Sequence, residues 1–268
     1  MVILIPVAIL GGMGLVFAIG LAYASKKFAV EIDPRIERVE EALAGVNCGA
    51  CGYPGCRGYA EAIVAGDVDI DKCAPGGEDT VREVSGIMGV EMGELIPRVA
   101  VAQCQGGHEQ AQTKFAYEGV EDCRAAQMLG AGFKACTYGC LGLGSCAEAC
   151  PFDAITVNEN GLPVVDEEKC TACGVCVRMC PRGIMALIPH TQQVYLGCVN
   201  KDRGRGVKDL CQVGCIACRL CVRRNPEEEE GISMGENLPI VNYEKLTSWA
   251  EANEVCPQKC FIIRIHEK

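Results

Sequence analysis

The chain opens on 22 residues without a charge, Val2 to Tyr23, and Lys26 and Lys27 follow at once. Such a stretch is long enough to cross the hydrocarbon core of a bilayer. Basic flanks stay inside, so the two lysines place everything after Ser25 in the cytoplasm. Gly14, Ala18 and Ala22 fall at four-residue spacing, a small-residue face suited to packing on another transmembrane helix. A cleaved signal peptide is the rival, with "AYAS" as its A-x-A site. However, "MVILIP" carries no positive n-region, and the apolar stretch exceeds the roughly 7–15 residues of an h-region. Residues 1–25 are therefore expected to be a single-pass anchor in the cell membrane. "FAVEIDPRIERVEEALAG" then sets apolar residues and charge pairs at helical spacing, with Pro34 near its start. It predicts an amphipathic linker helix within 26–44.

Beyond this point the apolar runs are short. Residues 45–95 form a compact module in which "RGYAEAIVAG" reads as a helix following a glycine-rich loop. Residues 96–130 are polar and mixed, a connecting region. Two further modules, 131–190 and 191–268, repeat one another. "NGLPVVDEEKC" (160–170) matches "ENLPIVNYEKL" (236–246), with Leu162-Pro163 over Leu238-Pro239. "LPVV" and "LPIVNY" are the expected strands, β-branched residues after a proline at the strand start. The pattern predicts an α+β chain: one transmembrane helix, a small cluster-binding domain and two ferredoxin-like modules.

Composition changes the picture of what holds these modules together. The chain carries 21 cysteines in 268 residues with only 5% aromatics. Disulfide scaffolds this rich in cysteine are normally shorter than ~100 residues. Tight CxxC groups in a longer chain point instead to metal ligation in a reducing compartment, with bound metal organising regions that lack a large carbon core. A net charge of −10 excludes the basic footprint of a nucleic-acid binder. His108, His190 and His266 are isolated in the sequence.

"CTACGVCVRMCP" places Cys170, Cys173, Cys176 and Cys180 before Pro181, the C-x2-C-x2-C-x3-C-P run of two-cluster ferredoxins. Cys136, Cys140, Cys146 and Cys150, before Pro151, form a looser version. In such ferredoxins the fourth cysteine of each run serves the other cluster. By that rule Cys136, Cys140, Cys146 and Cys180 hold one [4Fe–4S] cluster, and Cys150, Cys170, Cys173 and Cys176 hold a second. Zinc would not explain this crossed eight-cysteine pattern.

In the last module the first run is Cys215, Cys218 and Cys221, with Asn225-Pro226 where the fourth cysteine should stand. The second run keeps only Cys256. Crossing gives one full site, Cys215, Cys218, Cys221 and Cys256, with Cys260 as the rival of Cys256. The other site would fall on Asn225, Leu246, Trp249 and Ala252, none of them a ligand for iron. One whole cluster has been lost, and Leu246 and Trp249 are expected to fill its volume. The amino-terminal module adds a fourth site, Cys48, Cys51, Cys56 and Cys73, spaced x2, x4 and x16. Zinc held by four cysteines shares that spacing. Cys104, Cys123, Cys198, Cys211 and Cys260 are left as buried small hydrophobes, further ligands or a redox pair.

The amino-terminal apolar helix, "NCGACGYPGC…YAEAI…KCAPGG", "CxxxCLGLGxC…CPFDAI" and the following two-run module together resemble the B subunit of the Rnf complex. The amino-terminal module alone also resembles iron–sulfur domains of carbon monoxide dehydrogenase/acetyl-CoA synthase subunits. The Rnf resemblance covers nearly the whole chain. It implies an iron–sulfur relay subunit of an ion-translocating membrane complex that exchanges electrons between ferredoxin and NAD. Its implied partners are membrane and flavin or iron–sulfur subunits and soluble ferredoxin, and its ligands fall on the sixteen cysteines assigned above. The chain departs from the eight-cysteine second ferredoxin that many clostridial-type members carry. No P-loop and no GxGxxG run sits between a strand and a helix, so nucleotide chemistry is expected in partner subunits, with no catalytic side chain here. "NKDRGRGVK" (200–208) with Arg219, Arg223 and Arg224 forms a basic patch that could steer an acidic ferredoxin; a solvated loop balanced by the glutamates at 227–230 is the alternative. Two other functions stay open: a related complex reducing a different acceptor, and a zinc scaffold with no redox role.

Overall fold

The computed structural model describes residues 4–28, 33–93, 95–224, 231–243, 245 and 252–264, with side chains from residue 10 onward. Helix α1 runs Leu4–Lys27, and its large apolar side chains from Leu10 onward are exposed. Among the described residues no helix is long and apolar enough to cross a membrane; part of the stretch on which the anchor expectation rests lies outside them.

Helix α2 (Pro34–Ala42) begins at Asp33, whose carboxylate accepts from the Arg35 N–H at 2.9 Å. An N-cap of this kind contributes about 1 kcal/mol. The expected linker helix is not a free spacer. Val39, Ala42 and Leu43 share a core with Tyr59, Ala60 and Ile63 of α3 (Cys56–Ala65) and Val84 of α4 (Gly77–Met88). The Tyr59 hydroxyl donates to Asp69 O at 2.8 Å and accepts from Lys72 N at 3.0 Å, which fixes the chain just ahead of Cys73.

The rest of the chain is one pattern used twice. Strand β1 (Arg98–Ala102) lies in the stretch read as a connection and pairs antiparallel with β4 (Met185–Pro189), closing the first module. Between them come α5 (Cys123–Met128), α6 (Ser145–Glu148), the hairpin β2 (Ile155–Val157) with β3 (Pro163–Val165), and α7 (Val175–Met179). The second module repeats this, with β5 (Val194–Leu196) pairing with β8 (Phe261–Ile263). It encloses α8 (Arg205–Lys208), α9 (Leu220–Arg223), the hairpin β6 (Ile232–Met234) with β7 (Pro239–Val241), and α10 (Ala252–Val255). The proline-led strands expected from the sequence are β3 and β7. Ala252, at the position of Cys176, is fully buried beside Ile232 and Phe261. Asn225, Leu246 and Trp249, the other positions of the lost site, lie outside the described residues.

The modules are joined by a core and by polar bonds. Tyr195 and Ile262 of the second pack on Val99, Val101 and Ile188 of the first. Gln112 N–H donates to Leu210 O and Gln212 N–H to Gln110 O, both at 2.9 Å. The Arg264 guanidinium, 4% exposed, pairs with Glu167 through two hydrogen bonds and also donates to Gln192 O at 2.7 Å. Removing one partner of a pair with a buried charge is strongly destabilising, less so here because Glu167 is 33% exposed and can hydrate. Arg264→Ala is expected to cost about 2 kcal/mol and to lower the anaerobic thermal midpoint of the full chain. An unchanged midpoint would remove this ion pair from the account of how the modules are joined.

Candidate functional site

All 21 cysteines are free thiols, and none is exposed. Five hollows, each about 300–400 Å³ counted to its open mouth, take all of them without sharing one. The first is lined by Cys48, Cys51, Cys56 and Cys73, as the spacing predicts. Here Asn47 Oδ1 accepts from the Cys56 N–H at 2.8 Å, and a Cβ on Gly55 would meet that oxygen at 2.8 Å. Gly55 itself has φ 104, so only glycine lets the loop turn under the asparagine. A second hollow gathers Cys150, Cys170, Cys173 and Cys176, again as predicted.

A third hollow holds Cys140, Cys146 and Cys180, but its fourth cysteine is Cys123. Cys136, expected there, lines a different hollow with Cys104, Cys198 and Cys211. The reason is local. "CLGLGSC" folds like the other loops: Gly142 and Gly144 have positive φ, as do Ala172 and Gly174 in the second run and Ala217 and Arg219 in the third. The residue between each pair is Cys173 or Cys218 in the complete runs and Leu143 here. The middle cysteine is therefore absent, and Cys123 and Leu143 both pack against the small core of Ala126, Phe133 and Leu141. Ser145 holds it there: its hydroxyl accepts from Cys123 N at 2.7 Å and donates to Asp122, which caps α5. Sequence reasoning left Cys123 unassigned because it lies outside every CxxC run. The x5 gap between Cys140 and Cys146 was the available signal, since it is x2-Leu-x2.

The last hollow collects Cys215, Cys218, Cys221, Cys256 and Cys260. Cys256 follows α10 and precedes Pro257, as Cys180 follows α7 and precedes Pro181. The Cys260 thiol donates to Val213 O at 3.4 Å, and its N–H donates to Cys256 Sγ at 3.4 Å. Its side chain also hydrogen-bonds the sulfurs of Cys215 and Cys256, holding them at about 7 and about 6.

At several thiols of the other hollows burial opposes thiolate charge. It pushes Cys140 and Cys176 up to about 12 and Cys146 up to about 11, with neighbouring sulfurs adding to the effect. Grouped buried thiols of this kind give up their protons to a metal that replaces the lost solvation. Among the described residues no three His, Cys, Asp or Glu side chains are arranged to hold a single metal ion. Four thiols around a hollow of this size suit a polynuclear iron–sulfur cluster, and the residues present fit that group.

Neighbouring sulfurs also set the order of the hollows. Burial raises Cys173, and Cys48 of the first hollow adds to it. Among the sulfurs that add to the burial of Cys176 is Cys146 of the third hollow. Cys104 acts on Cys140, and Cys215 and Cys104 both act on Cys198. Each hollow thus has a sulfur neighbour in another, from Cys48 through Cys146 and Cys104 to Cys215.

Thiol-lined hollows on repeated ferredoxin-type loops define an iron–sulfur protein. Family comparison agrees: residues 43–75 match the family described as "Putative Fe-S cluster", and residues 135–184 match "4Fe-4S dicluster domain". The chain is 46% identical over 258 residues to the B subunit of the Na(+)-translocating ferredoxin:NAD(+) oxidoreductase complex of Acetobacterium woodii, covering 96% of this chain and 77% of that one. It is 38% identical to the B subunit of the ion-translocating oxidoreductase complex of Methanosarcina acetivorans, covering 98% and 99%. The B subunit of the proton-translocating ferredoxin:NAD(+) oxidoreductase complex of Clostridium ljungdahlii is 39% identical, with 92% and 86% covered. The chain belongs to the family of B subunits of Rnf-type ion-translocating oxidoreductase complexes.

The Asn47 bond yields a direct test. Asn47→Ala leaves the Cys56 N–H without its acceptor at a cost of about 1–2 kcal/mol. Iron at the amino-terminal site is expected to be lost to a chelator faster than in the parent, with the other sites unaffected. Equal loss rates would show that the asparagine does not hold the loop.

Proposed function

We infer that this chain is the iron–sulfur electron-relay subunit of an Rnf-type ion-translocating complex, a ferredoxin:NAD-type oxidoreductase in which it carries no catalytic side chain. The observation that supports this most directly is that five hollows take up every cysteine of the chain, four or five thiols to each. Bound [4Fe–4S] clusters supply one-electron carriers there. The protein's own part is to fix their spacing and burial and to direct backbone N–H groups at the sulfurs. Cys48, Cys51, Cys56 and Cys73 hold one cluster, and Cys150, Cys170, Cys173 and Cys176 another. Cys140, Cys146 and Cys180 hold a third with a fourth thiol. Cys215, Cys218, Cys221 and Cys256 hold the last, with Cys260 as a hydrogen-bonding neighbour; the matching places of Cys256-Pro257 and Cys180-Pro181 favour that choice. Residues 1–25 anchor the chain in the cell membrane as a single span, with the cluster-bearing part in the cytoplasm.

Soluble ferredoxin docks at the carboxyl-terminal end of the series. Arg219 lines the Cys215 hollow, and Arg203, Arg205, Arg223 and Arg224 stand exposed near it in sequence. A basic patch beside the terminal cluster accelerates encounter with an acidic protein and makes the rate fall with salt. Reversing Arg203 and Arg205 to glutamate is expected to slow ferredoxin-dependent reduction about tenfold at low ionic strength and to flatten its salt dependence. Unchanged rates and slope would place the docking surface elsewhere.

The relay reading itself is tested by metal content. Anaerobically purified protein is expected to be brown, with at least about 16 irons and matching sulfide per chain. Colourless, zinc-loaded protein would replace the relay with a scaffold.

A further inference from the structure

We propose that Cys104, Cys136, Cys198 and Cys211 hold a fifth [4Fe–4S] cluster at the boundary of the two ferredoxin-like modules, with Cys123 serving as the fourth ligand beside Cys140, Cys146 and Cys180. The inference rests on the iron–sulfur reading above and extends it to thiols that reading leaves unassigned.

The hollow at the boundary measures about 350 Å³, within the range of the four sites already described. Each module contributes two thiols, and it does so in the same way. Cys104 stands two residues past the end of β1, and Cys198 two residues past the end of β5. Cys104 Sγ accepts from Cys140 N–H at 3.4 Å, and Cys198 Sγ from Cys215 N–H at 3.3 Å. Cys136 and Cys211 each precede the first ligand of a cluster run by four residues, with Gly139 and Gly214 in equivalent places. Two halves of one site, related by the internal repeat, meet across the boundary. Unneeded cysteines would have no reason to keep matching positions and matching hydrogen bonds in both copies.

Charge gives a second, independent argument. Lys134 is 2% exposed, and its ammonium donates to the carbonyl of Gly106 in this wall. Among the described residues no carboxylate pairs with it. A polar head group buried on one carbonyl is costly, and the lysine stem lies against Gly139, which also lines this hollow. A thiolate-held cluster supplies the missing negative charge. The backbone also comes close, since a Cβ on Gly106 would lie 2.9 Å from Cys211 Sγ.

The site closes a gap in the relay. The Cys140 hollow belongs to the first module and the Cys215 hollow to the second, and the boundary hollow touches both through Cys104 and Cys198. Each passage moves one electron, oxidising the cluster it leaves and reducing the one it reaches, with no bond broken and no proton moved. In the second module one of two sites keeps its cysteines, while Ala252 stands where the other would have a ligand. The one retained is the neighbour of the boundary site.

The test uses the full chain, purified anaerobically, with native mass spectrometry and low-temperature EPR of the reduced protein. The parent is expected to carry five clusters, about 20 irons. Cys198→Ser and Cys136→Ser should each remove about four irons and the same EPR component. Cys123→Ser should perturb a different component, the one perturbed by Cys146→Ser. Four clusters in the parent, with no iron lost in Cys198→Ser, would overturn the fifth site while leaving the relay intact. So would a Cys136→Ser spectrum that matches Cys146→Ser. The parent's cluster count decides the matter even where a variant does not fold. Protein without iron would sink the relay reading itself.

Discussion

The structure depends on thiols that converge on hollows which side-chain carbon does not fill. Burial opposes ionisation of Cys140, Cys146, Cys176 and Cys198 among these thiols, and among the described residues the cores around them are small: ten buried residues in the largest, three in the smallest. Two-stranded sheets and helices of four to six residues do not hold such modules by themselves. Metal bound at several thiols stabilises what the carbon core cannot, so cluster insertion and folding become one process.

The loops show how little sequence the ligand geometry demands. Three runs place a left-handed residue on each side of the middle position, and they do it with glycine, alanine or arginine. Because the backbone path is retained, one ligand can be replaced from elsewhere in the fold without rebuilding the loop. Leu143 and Cys123 illustrate that exchange. In the second module the opposite has happened, and Ala252 in the place of Cys176 joins an apolar core. The two copies of one ferredoxin-like unit have thus diverged at different ends of the same plan.

Joining the copies matters as much as what each contains. Their shared core, the strand-like contacts at 110–112 with 210–212 and the Arg264–Glu167 pair hold the modules in register. Hollows in separate modules therefore lie in one series. The linker helix likewise belongs to the core of the amino-terminal module, which brings Cys48 up to Cys173.

Much was legible in the residues alone. Spacing gave three groups of cysteines that do share a hollow, Cys150 with Cys170 to Cys176 among them, because most members of each lie on one tight loop. The strands β3 and β7 followed from proline and β-branched residues for the same local reason. What only the tertiary structure decided is long-range: β1 closing against β4 across some 80 residues, Cys123 joining Cys140, Cys146 and Cys180 at one hollow, and Cys136 turning away to face Cys104, Cys198 and Cys211. Those four thiols come from four separate segments. No spacing rule reaches across a module boundary, since packing of one copy on the other, rather than the path of any loop, brings them together.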